Sequence, residues 1–256
     1  MTNSKWLRAT INDVRRWTPT LFSLRFEATG FAPFVAGQFA RVGLPIGDEI
    51  VGRPYSLVNP PGQSPNEIYA IEVENGPLSP KLNALRAGDT LYVMPNANGF
   101  FSLSEVPRAQ TLWCVATGTG IGPFLSMLRT QQVWTQFQNV VLLHGVRTVE
   151  ELTYRDEICA IRQAQPHAFQ MVSFVTRDAT SAHPGHVDAH MRGRISTALA
   201  SGELERVADL ALDRDSHAML CGNPQMVADM IALLEARGLK RHRKRDPGHF
   251  TTEAYW

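Results

Sequence analysis

Thr111-Leu112-Trp113-Cys114-Val115-Ala116-Thr117-Gly118-Thr119-Gly120-Ile121-Gly122-Pro123 is where the chain changes character. Residues 111–116 form an unbroken apolar run, the pattern of a strand buried on both faces, and the run ends in a glycine-rich turn. After Pro123, a residue suited to the first turn of a helix, Phe124, Leu125 and Leu128 recur at helical spacing. The alternation continues downstream. Val140-Val141-Leu142-Leu143, Phe169 to Val175 and Ala218 to Cys221 read as further buried strands. Helical segments separate them, and the last carries Met226, Met230, Ile231, Leu233 and Leu234 and is closed by Gly238. Strand and helix in alternation imply a parallel sheet with helices on its faces, an α/β nucleotide-binding architecture.

Upstream of residue 111 the period is two instead. Phe22-Ser23-Leu24-Arg25-Phe26-Glu27 alternates apolar and polar residues, as a strand with one face on a core requires. Gln38 to Leu44, Tyr55 to Val58, Ile68 to Val73 and Thr90 to Val93 are similar runs, each bounded by Gly, Pro or Asn, which suits antiparallel strands joined by turns. The spacing fits an all-β barrel of about 100 residues that ends near Ser104-Glu105-Val106-Pro107. Two domains are therefore expected: an antiparallel six-stranded β-barrel over residues 1–105 and an α/β parallel-sheet domain over residues 106–256.

Composition narrows the function classes. At 256 residues, with 44% hydrophobic and 19% charged residues, the chain has the profile of a soluble globular protein with room for two cores. A net charge of +1 supplies no global attraction to nucleic acid or membrane, so any electrostatic preference must come from a local patch. Cys114, Cys159 and Cys221 are odd in number and far apart, which argues against a disulfide framework and against zinc or iron-sulfur ligand sets. The first residues lack the layout of a signal peptide, and no apolar stretch approaches membrane-spanning length; a cytoplasmic monomer is expected.

Several stretches carry chemistry. Arg53-Pro54-Tyr55-Ser56 joins a guanidinium suited to a phosphate, a flat aromatic able to lie on a planar ring, and a hydroxyl able to meet a ring nitrogen. Arg53 and Tyr55, two apart, share one side of a strand. Tyr69-Ala70-Ile71-Glu72-Val73 leads into Gly76-Pro77-Leu78-Ser79-Pro80, a turn and helix start whose backbone N–H groups suit phosphate. Ser79 equally reads as the cap of a helix that begins at Pro80. The turn over Thr117, Gly118 and Gly120 lets backbone approach a ligand, although its glycine spacing is not that of the G-x-G-x-x-G fingerprint.

The strand after it runs into His144-Gly145-Val146-Arg147, where an NAD-specific site would offer an acid to the ribose diol; a cation stands there instead. Arg177, after Val175-Thr176, and Arg192 and Arg194 follow later segments. Singly each arginine reads as an ordinary solvated residue, and their joint placement is what suggests a phosphate. Cys221-Gly222-Asn223-Pro224 ends the last core strand and starts a helix, on the edge where open α/β sheets hold ligands.

Taken in order, Arg53 to Ser56, Ala116 to Pro123, Cys221-Gly222-Asn223-Pro224-Gln225-Met226 and the terminal Tyr255-Trp256 resemble the ferredoxin/flavodoxin NADP(+) reductases, and among them the bacterial type ending in Tyr-Trp. The likeness runs over nearly the whole chain. It implies non-covalent FAD held by Arg53, Pro54, Tyr55, Ser56, Ala70, Ile71, Glu72, Gly76, Pro77, Leu78, Ser79 and Thr117. Ala254, Tyr255 and Trp256 would return to cover it, adenine included, which favours FAD over FMN. It further implies NADP(H) held by Gly118, Gly120, His144, Arg147, Thr176, Arg177, Arg192 and Arg194, the arginines at the adenosine 2′-phosphate, with Cys221, Gly222, Asn223 and Pro224 beside the nicotinamide.

The implied reaction is reversible hydride transfer between NADP(H) and FAD, coupled to one-electron exchange with ferredoxin or flavodoxin. Tyr55, Ser56, Cys221 and Glu253 are its expected catalytic residues. A reductase component of an oxygenase, a general flavin reductase and a non-catalytic FAD-binding redox sensor are the alternatives. Two further stretches stay outside this scheme. His183, His186 and His190, with Asp188 between them, have metal-like spacing but read as a loop around Pro184-Gly185, so no metal is expected. Lys240-Arg241-His242-Arg243-Lys244-Arg245 reads as a solvated basic face or as a dock for an acidic redox protein.

Overall fold

The structure, a computed structural model, describes residues 5–178 and 189–254; of Ala189 and His190 only the backbone is described. The chain divides into two units, Met1–Ser102 with Gly122–Thr130, and Leu103–Ile121 with Gln131–Trp256.

The first unit is a six-stranded antiparallel sheet: β1 (Leu7–Arg16), β2 (Leu21–Glu27), β3 (Phe39–Ile46), β4 (Glu49–Ser56), β5 (Asn66–Ile71) and β6 (Thr90–Val93), with α1 (Ser79–Asn83) between the last two. The spatial order is β4-β3-β6-β1-β2-β5. Its two ends meet just past β4, where Leu57 bridges Ile68 and the Val58 N–H donates to the Glu67 carbonyl at 2.9 Å, so the sheet closes into a barrel. Alternate residues face inward. Phe22, Leu24 and Phe26 of β2 meet Ala40 and Val42 of β3 and Leu91 and Val93 of β6, all essentially without exposure.

Helix α2 (Gly122–Leu128) is grouped with this unit. The Ser126 hydroxyl donates to the Asn59 carbonyl at 2.8 Å, and Phe124 packs edge-on against Phe101.

The second unit holds a parallel sheet of β7 (Thr111–Thr117), β8 (Asn139–Val146), β9 (Phe169–Val175), β10 (Ala189–Arg192), β11 (Ser216–Gly222) and β12 (Phe250–Ala254). Its helices are α3 (Gln131–Gln136), α4 (Arg155–Ala164), α5 (Ile195–Ala200), α6 (Glu203–Ala208) and α7 (Pro224–Ala236). The order is β10-β9-β8-β7-β11-β12. From β7 the chain winds outward through β8, β9 and β10, then returns to place β11 on the other flank of β7. That reversal opens a crevice at the carboxyl ends of β7 and β11, the topological switch point of an open α/β sheet. Trp113, Val115, Leu143, Phe174 and Leu220 pack against Leu199, Met230 and Leu234 to form the core of one face.

Three strands carry no clear signal in the sequence. In β1 the register slips between Ile11 and Asp13, which breaks the period of two after Ala9 and Ile11. β10 has four residues, too few for a pattern. β12, read from the sequence as a tail returning to a cofactor, is through Ala254 the sixth strand of the parallel sheet; only Phe250 of it is buried.

Candidate functional site at the carboxyl ends of the second sheet

At the switch point, two glycines serve the protein's own packing. A Cβ on Gly120 would lie 2.5 Å from the Cys221 carbonyl oxygen, and one on Gly222 would lie 2.3 Å from the Thr117 hydroxyl oxygen, so only hydrogen fits at either place. At Gly120, where the sequence suggests a close approach of backbone to a ligand, the glycine also lets one strand end approach the other. Gly118, at φ +54°, has open space where its side chain would be.

The Thr117 hydroxyl accepts the Asn223 N–H at 2.8 Å. Asn223 in turn caps α7, its side chain accepting from the N–H of Gln225 at 2.9 Å and of Met226 at 3.4 Å, with Pro224 in the first turn. Such a cap stabilises by about 1 kcal/mol. Cys221 is fully buried.

Beside Cys221, in register on β12, stands Glu253, and Ala254 stands beside Gly222. Partial burial, which removes water from the carboxylate, holds the Glu253 carboxyl well above the usual range, up to about 7. The sequence offered only its nearness to the terminus; the register brings it to the crevice. Tyr255 and Trp256 lie outside the described residues.

His144, expected among the nucleotide contacts, has no exposed surface. Its Nε2 lies 3.0 Å from the Gly118 carbonyl, which can only accept, so Nε2 carries the proton and donates. Burial pushes its pKa down to about 4, and the ring is neutral near pH 7. His144 therefore braces the glycine-rich turn as a hydrogen-bond donor and presents no positive charge.

The cationic group lies farther along the same edge. Arg147 follows β8, Arg177 follows β9, and the Arg177 N–H donates to the Arg147 carbonyl at 2.8 Å. Thr176 between them is turned back, its hydroxyl donating to Val146 O at 3.2 Å. Arg192 ends β10 opposite Val175, and Arg194 follows two residues on; both are exposed. Arg147 pairs with Glu151, a residue to which the sequence reading assigned no role although its spacing of four from Arg147 marks it as a candidate partner. With the arginine 44% exposed, the pair adds at most about 1 kcal/mol to stability, so its effect is chiefly to orient.

The first unit carries the Arg53 to Ser56 box on β4. This strand begins six residues before the expected Tyr55, and it lies at the end of the sheet order, where Pro54 is tolerated. Arg53 is exposed, and its Nη1 donates to the Gly52 carbonyl at 3.1 Å. Tyr55 is half-buried; burial raises its phenol to about 12, against the lowering pull of Arg53, so the ring stays uncharged. Ser56 is buried, near the start of α2 at Gly122.

Ala70 lies in the barrel core, which leaves only its backbone for a ligand, while Ile71 and Glu72 are half-buried. Glu72 accepts from the Asn83 side chain at 2.6 Å. After the exposed Pro77, α1 starts at Ser79 and not at Pro80, with Leu78 in the cap position. The Ser79 hydroxyl accepts the Val73 N–H at 2.9 Å and so ties down the Gly76 turn; it does not cap the helix.

The basic run folds beside β12. Arg241 bridges Phe250 and donates to the Thr252 hydroxyl at 2.7 Å, and Lys240 pairs with Asp246. Arg243, Lys244 and Arg245 are exposed. His183, His186 and Asp188 lie outside the described residues, and the backbone of His190 belongs to β10.

Comparison with known proteins places these features in context. The oxidoreductase NAD-binding domain family matches residues 114–231. The flavodoxin/ferredoxin–NADP reductase of Escherichia coli is 41% identical over 253 residues, covering 98% of this chain and 99% of the relative. The ferredoxin–NADP reductase of Azotobacter vinelandii is 32% identical, covering 94% and 93%. Among solved structures, a ferredoxin NADP+ reductase from Neisseria gonorrhoeae with bound FAD and NADP superimposes with a TM-score of 0.90 at 32% identity, covering 98% of this chain and 99% of that one.

Proposed function

We propose the working of the site from one premise: the chain belongs to the flavodoxin/ferredoxin–NADP reductases and is an FAD-dependent oxidoreductase that uses NADP(H), with ferredoxin or flavodoxin as electron partner. When bound, the two nucleotides supply the chemistry, a reversible hydride exchange between nicotinamide C4 and flavin N5 and one-electron exchange with the carrier. The chain supplies binding, alignment and proton control.

The first unit fits FAD. Arg53 is exposed and meets no carboxylate among the described contacts, so its fork is available to the pyrophosphate. Tyr55 offers an uncharged ring to lie on the flavin, with Ser56 two residues along from Arg53's neighbour Pro54 to meet a flavin nitrogen. The Gly76-Pro77-Leu78-Ser79 turn, held by the Ser79 to Val73 bond, offers backbone to the phosphates and ribose together with Ala70, Ile71 and Glu72. Tyr255 and Trp256 would cover the cofactor.

The second unit fits NADP(H), and one observation carries that assignment: the Arg177 N–H to Arg147 carbonyl bond ties together two arginines at neighbouring strand ends, where a ribose diol would otherwise meet an acid. They would hold the 2′-phosphate, with Arg192 or Arg194 as a third contact. Gly118, Gly120 and the Cys221 to Pro224 turn would line the nucleotide, and Cys221 would position the nicotinamide without acting as a nucleophile. Glu253, with its carboxyl held up to about 7, would be poised to take up and release a proton on its carboxylate oxygen near neutral pH.

The carrier would dock on Arg243, Lys244 and Arg245, whose exposed charge suits an acidic protein. No helix among the described residues is long and apolar enough to cross a membrane. A cytoplasmic monomer that binds no nucleic acid completes the reading.

The test is the visible spectrum of the purified protein under anaerobic conditions during separate additions of NADPH and NADH. A two-banded flavin spectrum bleached quickly by NADPH and slowly by NADH is the expected outcome. A colourless protein that takes up no added FAD would overturn the reading, and equal bleaching by both nucleotides would overturn the arginine assignment alone.

A further inference from the structure

We infer that Glu151 is the positioning residue that sets the preference for NADP(H) over NAD(H), acting through Arg147. The inference rests on the reading of Arg147 as a contact of the 2′-phosphate. One carboxylate grips Arg147 at both ends: Oε2 accepts the arginine's backbone N–H at 2.9 Å, while Oε1 accepts Nε at 2.9 Å and lies 2.7 Å from Nη2. Gripping backbone and guanidinium together holds the intervening torsions of a side chain that otherwise samples many rotamers. The Glu151 side chain is only 13% exposed against 44% for Arg147, so the carboxylate sits behind and the guanidinium in front. It occupies the edge formed by Nε and Nη2. The Nη1 protons and the outer Nη2 proton remain for an oxyanion.

Glu151 is itself held in place. It ends the short turn Val149–Glu151, whose first N–H, that of Val149, donates to Asp178 Oδ2 at 2.6 Å. Arg155 donates from Nη2 to the Val149 carbonyl and from Nε to the Leu152 carbonyl, each at 3.0 Å. Asp178 follows Arg177, whose N–H reaches back to the Arg147 carbonyl at 2.8 Å. The circuit from Arg147 through Glu151, the turn, Asp178 and Arg177 closes on itself. The Arg147 guanidinium and the Arg177 backbone are thereby placed before a ligand arrives, and part of the ordering cost of gripping a phosphate is met in the free protein. A nucleotide without the 2′-phosphate gains nothing from that placement, so the effect is selective.

The carboxylate's own charge acts in the opposite sense, because it repels a phosphate. Its pairing with Arg147 offsets that charge locally, and placement is expected to dominate. Glu151→Gln keeps the size of the side chain but cannot accept from the guanidinium and the backbone N–H together with a full negative charge.

The experiment titrates the FAD-loaded protein with adenosine 2′,5′-bisphosphate and with adenosine 5′-monophosphate by calorimetry, for the wild type, Glu151→Gln, Arg147→Ala and the double variant. Glu151→Gln should weaken the bisphosphate about tenfold and leave the monophosphate within about twofold. The double variant should bind no worse than Arg147→Ala, since Glu151 acts through that residue. In turnover with a small dye, KM for NADPH should rise while kcat and KM for NADH hold. Glu151→Asp, whose shorter carboxylate reaches one of the two groups but not both, should fall between wild type and Glu151→Gln and serves if the Gln variant loses flavin. Unchanged or tighter bisphosphate binding in Glu151→Gln, or equal weakening of both nucleotides, overturns the inference while the Arg147 reading survives. If Arg147→Ala leaves the discrimination intact, both fall.

Discussion

Glu253 and Cys221 face each other across the β11–β12 ladder, and this pairing turns an unremarkable carboxylate into a titratable group of the crevice. Its burial has a consequence for stability. A carboxyl raised from 4.5 to about 7 stabilises the fold fully below pH 4.5, where it is protonated folded and unfolded alike, and that contribution is lost as pH rises through 7. Glu253→Gln removes the titration. The variant should gain stability relative to wild type between pH 4.5 and 7 and hold the gain above, which thermal melts of the FAD-loaded proteins across that range would measure. A difference in melting temperature that does not change with pH would show that Glu253 ionises normally. At this scale the sequence was partly legible: Arg53, Tyr55, Arg147 and Arg177 stand out as candidates by residue type and order. Glu151 and the bracing role of His144 do not, because each depends on an atom of a residue brought close only by the fold.

At the scale of elements, strand ends do the positioning. The crevice between β7 and β11 exists because Gly222 lets the two strand ends close on each other, whereas Gly118 needs only its positive φ. Their substitutions should therefore differ. Gly118→Ala places a methyl in open space and costs about 1 kcal/mol for the left-handed backbone. Gly222→Ala meets backbone strain as well, at φ +132°, and in addition drives a methyl into the Thr117 hydroxyl and backbone, 2.3–3.0 Å away, so it should cost about 3 kcal/mol or more. Denaturant unfolding of both variants checks the order, and equal losses would mean that the strand ends can part freely. Continuous apolar runs made β7, β8, β9 and β11 readable from sequence because strands buried on both faces admit few polar residues. The bulged β1, the four-residue β10 and the edge strand β12 escaped, since a register slip, brevity and a half-solvated edge each erase the periodic signal.

For the whole molecule, a net charge of +1 hides a local concentration of cations from 240 to 245. Lys240 is tied to Asp246 and Arg241 to Thr252, which leaves Arg243, Lys244 and Arg245 as the outward charge. Docking of an acidic carrier there should be salt-sensitive, because exposed charges are screened over about 8 Å at physiological ionic strength. Raising salt is expected to slow electron transfer to ferredoxin or flavodoxin while NADPH oxidation by a small uncharged dye keeps its rate; stopped-flow kinetics at several ionic strengths decides it. Equal slowing of both reactions would remove the patch from the docking role. By itself, the sequence determined the two architectures and the order of the candidate nucleotide-binding stretches, with arginines standing where an acid would be expected, because periodicity and residue chemistry are local properties written along the chain. Only the tertiary structure decided which glycines serve packing, that His144 is a neutral brace, that Glu253 stands beside Cys221 and that Glu151 holds Arg147. Burial, register and hydrogen-bond geometry arise between residues distant in sequence, and no local pattern specifies them.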